Sequence, residues 1–134
     1  MKNSKTLKIY LVISGLLLTF IGGATLLMPV EMKASAGIDI SGNISVLNDI
    51  RAMSALLLGI ALISLTGAFS KKLSYTAALM STLTFLTLGI GRAISIFSDG
   101  DPVDGLIKAT ILEFVLGITG AILFITQQNK VSNQ

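Results

Sequence analysis

The chain has 134 residues, enough for one domain, of which 52% are hydrophobic and 13% charged, where a soluble domain carries about 25% charged residues. A soluble fold of this size could not hide so much apolar surface, so the composition points to a bilayer, whose interior is itself apolar. Cys and His are both absent and the net charge is +3. These absences exclude disulfides, Fe–S clusters, thiol catalysis and a Ser-His nucleophile, and they remove the commonest zinc, copper and haem ligands. A carboxylate-only calcium or magnesium site stays open.

Four apolar segments follow one another. The first runs from about Ile9 to Met28, carries no charge and stops at Pro29, which disfavours helix at the residue before it. The second runs from about Val46 to Phe69, with Asp49 and Arg51 near its start. The third runs from about Ser74 to Phe97, with Arg92 near its end, and Ser74 is a plausible N-cap. The fourth runs from about Pro102 to Thr126, with Lys108 and Glu113 in its first half. Asp101 reads as its N-cap, Pro102 as its first helical residue, and Asp104 suits the positive end of the helix dipole. Each segment is long enough to cross a hydrocarbon core of about 30 Å as a helix, the form that satisfies every backbone polar group internally. The expected fold class is therefore all-α, a four-helix antiparallel transmembrane bundle forming one integral membrane domain over residues 1–134.

The first segment has a rival reading as a cleaved secretory signal, with Lys2, Lys5 and Lys8 as its basic head and Ala34-Ser35-Ala36 as the cleavage site. Its apolar run exceeds the roughly 7–15 residues of a signal core, and Glu31 and Lys33 separate it from the cleavage-like motif, so a retained span is expected. The loop from Val30 to Ser45 is rich in Gly, Ser and Ala. Both a short interfacial helix and a partly ordered flap fit it.

Lys and Arg in the loops set orientation. Lys2, Lys5, Lys8, Lys71, Lys72 and Lys130 fall at one end, whereas Lys33, Arg51, Arg92 and Lys108 fall at the other, three of them inside spans. The first end is expected in the cytoplasm, giving a multi-pass cell-membrane protein with both termini inside. All seven acids lie in the opposite, outer half. The scattered basic residues thus read as topology signals and not as a nucleic-acid surface.

Small residues mark packed faces in membranes. They suggest Gly15, Thr19 and Gly23 on the first segment, and Asn48, Ala52, Ala55 and Gly59 on the second. Ser81, Thr84, Gly91 and Ser95 stand on the third, and Ala109, Gly117, Gly120 and Ala121 on the fourth. Glu113 is four residues from both Ala109 and Gly117 and shares their stripe, while Arg51 and Arg92 flank theirs. Tyr10 and Tyr75 read as interface anchors, and the Met residues as packing.

An isolated charge near mid-membrane costs at least about 2.5–3.5 kcal/mol, so Glu113, about 15 Å along its helix, needs a partner. Arg51 and Arg92 are the candidates, since guanidinium can meet a carboxylate with two parallel bonds. Two readings stand side by side: a network that fixes helix register, or a cavity open to the outside, floored by Glu113 and walled by two arginines. Asn48, Asp49, Arg51, Arg92, Ser95 and Glu113 are the candidate binding residues. Asp99-Gly100-Asp101-Pro102-Val103-Asp104-Gly105 has calcium-loop composition without EF-hand spacing and reads as a turn.

Asn48-Asp49-Ile50-Arg51-Ala52, together with Gly91-Arg92-Ala93-Ile94-Ser95 followed by Asp99-Gly100 and Pro102, and Glu113 beyond them, resembles the small bacterial membrane family catalogued as domain of unknown function 4345. The resemblance covers nearly the whole chain. It implies a four-helix bacterial inner-membrane protein with no established activity, in which Glu often stands where this chain has Asp49. More remotely, the layout looks like DoxX-type membrane proteins, some of them linked to quinone and sulfur redox chemistry. The leading expectation is a non-enzymatic bundle that binds a lipid, quinone, other small ligand or membrane protein partner in the charged outer-half pocket. An accessory subunit of a quinone-linked redox complex and a small transporter are the alternatives. The transporter lacks a continuous polar path, because the inner half of the spans reads as nearly devoid of polar groups. Beyond the lipid bilayer and these, no cofactor, metal or nucleic acid is expected.

Overall fold

Five helices make up the computed structural model, which describes residues 4–132 and the side chains of residues 4–129. Helix α1 spans Lys5–Leu27, α2 Pro29–Ala34, α3 Ile44–Phe69, α4 Ser74–Asp99 and α5 Asp104–Ser132. All but α2 are long and apolar enough to cross a membrane; at 1.5 Å per residue they measure about 35–44 Å. The fold is an all-α, four-helix antiparallel bundle. Lys2 lies outside the described residues, as does the side chain of Lys130.

Local chemistry sets the ends. Ser4 caps α1 by accepting the Leu7 N–H at 3.1 Å, so that helix begins before Ile9. Met28 leaves helical geometry (φ −128°, ψ 61°) ahead of Pro29, which opens α2 at a position where its missing N–H is harmless. The long loop thus holds a short helix. Beyond it Asp39 accepts both the Ser41 hydroxyl (2.6 Å) and the Ser41 N–H (2.9 Å), which hold its carboxyl below the usual range. Asn43 then caps α3 by accepting the Val46 N–H at 3.1 Å.

Two expected caps are corrected. Helix α5 begins at Asp104, not Pro102: the Val103 carbonyl accepts the Leu106 and Ile107 N–H groups at 2.9 and 3.4 Å. Val103 lies against the Gly37 backbone, and Asp101 remains outside the helix. Ser74 is the first residue of α4 and fully buried; its hydroxyl donates to the Gly67 carbonyl at 2.9 Å, because the turn after Ser70 carries it inward.

Around the bundle, α1 packs along α3, α3 along α4 and α4 along α5, whereas α1 and α5 meet sparsely and α3 and α5 do not pack together. Close approaches rest on small residues. Gly15 faces Leu65, Gly22 faces the Ser54 carbonyl, Gly67 faces Ala77 and Gly117 faces Leu86. One core cluster joins Leu7, Tyr10, Leu11, Ala68, Ala77 and Ala78, and a second joins Leu18, Ile60, Ala61 and Phe85; Leu116 packs on both. Between them Ser64 donates to the Leu11 carbonyl (3.0 Å) and meets Ser81 (2.9 Å). Ser14 and Thr82 are buried in the same half. This hydroxyl layer corrects the expectation that this half of the spans is nearly devoid of polar groups.

The small-residue stripes are only partly right. On α5, Gly117 and Gly120 are buried, with Glu113 on the same face. On α3, Asn48, Ala52, Ala55 and Gly59 are exposed, and the buried face carries Ser54, Ala61, Ser64, Gly67 and Ala68 instead. Helix α3 has small residues on two faces, and in lipid nothing apolar separates the inner face from the outer. Thr19, Gly91 and Ser95 are likewise exposed, and a Cβ on Gly23 would meet open space. Tyr10 is no interface anchor. It is buried in the core, its hydroxyl occupying the place of a Cβ on Gly120 beside Thr82, as only glycine allows. Tyr75 is exposed and stacks at a tilt on Phe124, centroids 4.9 Å apart.

Candidate functional site

Arg92 stands two turns before the end of α4, and Glu113 stands nine residues into α5, about 14 Å along its axis. The antiparallel packing of α4 on α5 brings the two to one level. The Phe114 ring lies over Gly89 and Leu86 over Gly117, so the helices are close enough for the side chains to meet. Arg92 Nε donates to both carboxylate oxygens of Glu113, at 3.1 and 3.0 Å. Glu113 is deeply set, its side chain 11% exposed, against 37% for Arg92. The contact differs from the expected pair of parallel bonds. One N–H is shared between two oxygens, and among the described residues the terminal guanidinium nitrogens have no hydrogen-bond partner.

Arg92 borders two cavities. The larger, about 280 Å³, is lined by Ile21 and Thr25 of α1, Met32, Lys33, Ser35 and Ala36 from α2 and its end, Arg92, and Val103, Gly105, Leu106 and Ala109 around the start of α5. The smaller, about 80 Å³, is lined by Arg92, Ser95, Ile96, Pro102, Leu106 and Thr110. The walls of the larger mix apolar side chains (Ile21, Met32, Leu106) with the polar ones of Thr25, Lys33, Ser35 and Arg92. Lys33 and Arg92 bring two positive charges to its lining, and no acid is among the described residues that line it.

The six nominated residues divide. Arg92 and Glu113 form an ion pair, and Ser95 borders the smaller cavity while donating to Asp99 Oδ2 at 2.9 Å. Asn48, Asp49 and Arg51 are exposed on the first turns of α3, which does not pack against α5. Arg51 Nε donates instead to the Leu26 carbonyl at 3.2 Å, satisfying one of the last-turn carbonyls that the end of α1 at Leu27 leaves without an intrahelical donor. The expected second arginine wall is therefore absent, and Lys33 and Thr25 line the cavity in its place. Pro29 at the head of a short helix was the signal for α2, but nothing in the sequence set that helix over the cavity. Among the described residues no group of three or more Asp, Glu, His or Cys is placed to hold a metal ion.

No curated protein and no solved structure matches the chain. A family model matches residues 6–124, a stretch that takes in both members of the Arg92–Glu113 pair and the whole of α2 over the cavity. This chain, a multi-pass membrane protein, belongs to the family described as domain of unknown function (DUF4345).

Proposed function

We propose that the protein is a non-enzymatic binding protein of the cell membrane, with both termini cytoplasmic, that holds a small anionic group at its outer half. One observation carries this reading. Glu113 engages only Nε of Arg92, so among the described residues the terminal guanidinium nitrogens of a residue bordering two cavities are without a protein partner. Guanidinium is suited to phosphate and carboxylate. In this reading Glu113 is a positioning residue that fixes the guanidinium, Arg92 and Lys33 touch the anion, and Thr25 and Ser35 supply hydroxyls at the rim. Ser95 belongs to the margin of the site, and Asn48, Asp49 and Arg51 serve the α1–α3 end.

Glycerol phosphate, added to the detergent-purified protein, tests this. A ligand bound to the folded state raises stability by about 2.7 kcal/mol at a hundred times its Kd. Wild type is expected to gain thermal stability over a sodium chloride control of equal ionic strength, and Arg92→Gln to gain none. An equal gain in both, or none in wild type, refutes an anion site at Arg92.

A further inference from the structure

We propose, resting on that reading, that the anion is the head of an amphiphile whose apolar chain lies in a wedge between α1 and α5, open to the outer leaflet. The two helices are joined at their inner ends. Gln127 donates to Ser4 Oγ at 2.6 Å, and the Tyr10 hydroxyl rests on Gly120. Leu116 still packs on both core clusters. One turn further out Leu112 is 44% exposed, and on the facing helix Ile21 is 36% exposed. Ala109, Leu112 and Leu116 follow at steps of three and four, hence on one face of α5. That face passes from core contact, through exposed Leu112, to the cavity lining at Ala109. The ion pair ties this part of α5 to α4, and α5 meets α1 only sparsely.

Size and chemistry then select the ligand. A cavity of about 280 Å³ is at the lower edge of the ~300–1,000 Å³ that small-molecule sites occupy. It has room for a headgroup and none for a whole lipid. A free anion would use Arg92 and Lys33 and leave the apolar walls unused, whereas an amphiphile uses both. The bilayer already solvates a lipid chain, so the charged head supplies the selectivity and the chain supplies the route. The occupant is therefore an anionic lipid, chosen over zwitterionic neighbours.

Native mass spectrometry of protein released from nanodiscs of equal phosphatidylglycerol and phosphatidylcholine tests this, beside glycerol phosphate protection of the same samples. Wild type is expected to retain phosphatidylglycerol about tenfold over phosphatidylcholine, the discrimination that a charge-assisted hydrogen bond supplies. Leu112→Trp, which fills the wedge below the cavity, should lose the lipid and keep the glycerol phosphate response; Arg92→Gln should lose both. Ile21→Phe repeats the wedge test from α1 should Leu112→Trp fail to fold. Glycerol phosphate protection without lipid preference, or lipid retention untouched by both wedge variants, overturns the amphiphile and leaves the anion pocket standing. Absence of both responses in wild type overturns both proposals.

Discussion

Arg92 and Arg51 look alike as letters, each a basic residue flanking a stripe of small residues near the outer end of a span. Their roles diverge because α4 touches α5 and α3 does not, so Arg92 finds Glu113 while Arg51 finds the Leu26 carbonyl. The cost of a membrane-buried charge singled out Glu113 and demanded a cationic partner, but choosing between two arginines required knowing which helices are neighbours. The pair is also unequal in exposure, which makes its loss unequal. Arg92→Gln leaves a carboxylate in a nearly closed setting and should cost about 3 kcal/mol. Glu113→Gln leaves a guanidinium that is 37% exposed and open to solvation, and should cost about half as much. The double variant, with no charge left unpaired, should recover part of the Arg92→Gln loss. Thermal unfolding in detergent measures all three, and equal losses in the two single variants would show that exposure does not govern the pair. Arg51→Ala serves as the contrast. It should cost roughly 1.5 kcal/mol, a charge-assisted hydrogen bond, and leave glycerol phosphate protection intact.

At the scale of elements, the helices themselves were plain in the sequence, because long uncharged runs have few other ways to satisfy their backbones in lipid. Their ends were less plain. Ser4 and Asn43 each accept an N–H of the following turn and start α1 and α3 earlier than hydropathy suggests. At the head of α5 the Asp101-Pro102 signal misled: the first bonds of the helix run to the Val103 carbonyl, and the helix starts at Asp104. Gly37 is also where the chain turns back after α2, at φ 77°, a conformation that costs a residue with a Cβ about 1–2 kcal/mol. Gly37→Ala should therefore loosen α2 over the larger cavity before it unfolds the bundle. Hydrogen exchange is expected to rise in residues 29–37 with α3 and α4 unchanged, and glycerol phosphate protection to weaken. Unchanged exchange at α2 would mean that the turn does not hold it.

For the whole molecule, the proposal that the Lys-rich end is cytoplasmic rests on the bias of Lys towards that end, and the absence of Cys makes it easy to check. Ser41→Cys, in the loop after α2, should react with a membrane-impermeant thiol reagent on intact cells. Lys72→Cys, in the turn between α3 and α4, should react only after permeabilisation; the reverse pattern would invert the topology. Composition and charge placement by themselves determined a bundle of four antiparallel helices with its acids gathered at one end and a costly carboxylate within it. They did so because the energies involved, backbone desolvation and charge burial, depend on each segment alone. Which face of each helix turns inward was decided only in the tertiary structure. Lipid and protein core are equally apolar, so the stripe from Asn48 to Gly59 could face either, and shape complementarity sent it outward. The same holds for the site. The sequence supplied Arg92 and Glu113, but the packing of α5 on α4, its parting from α1 and the position of α2 made a cavity beside them and brought Lys33 to its wall.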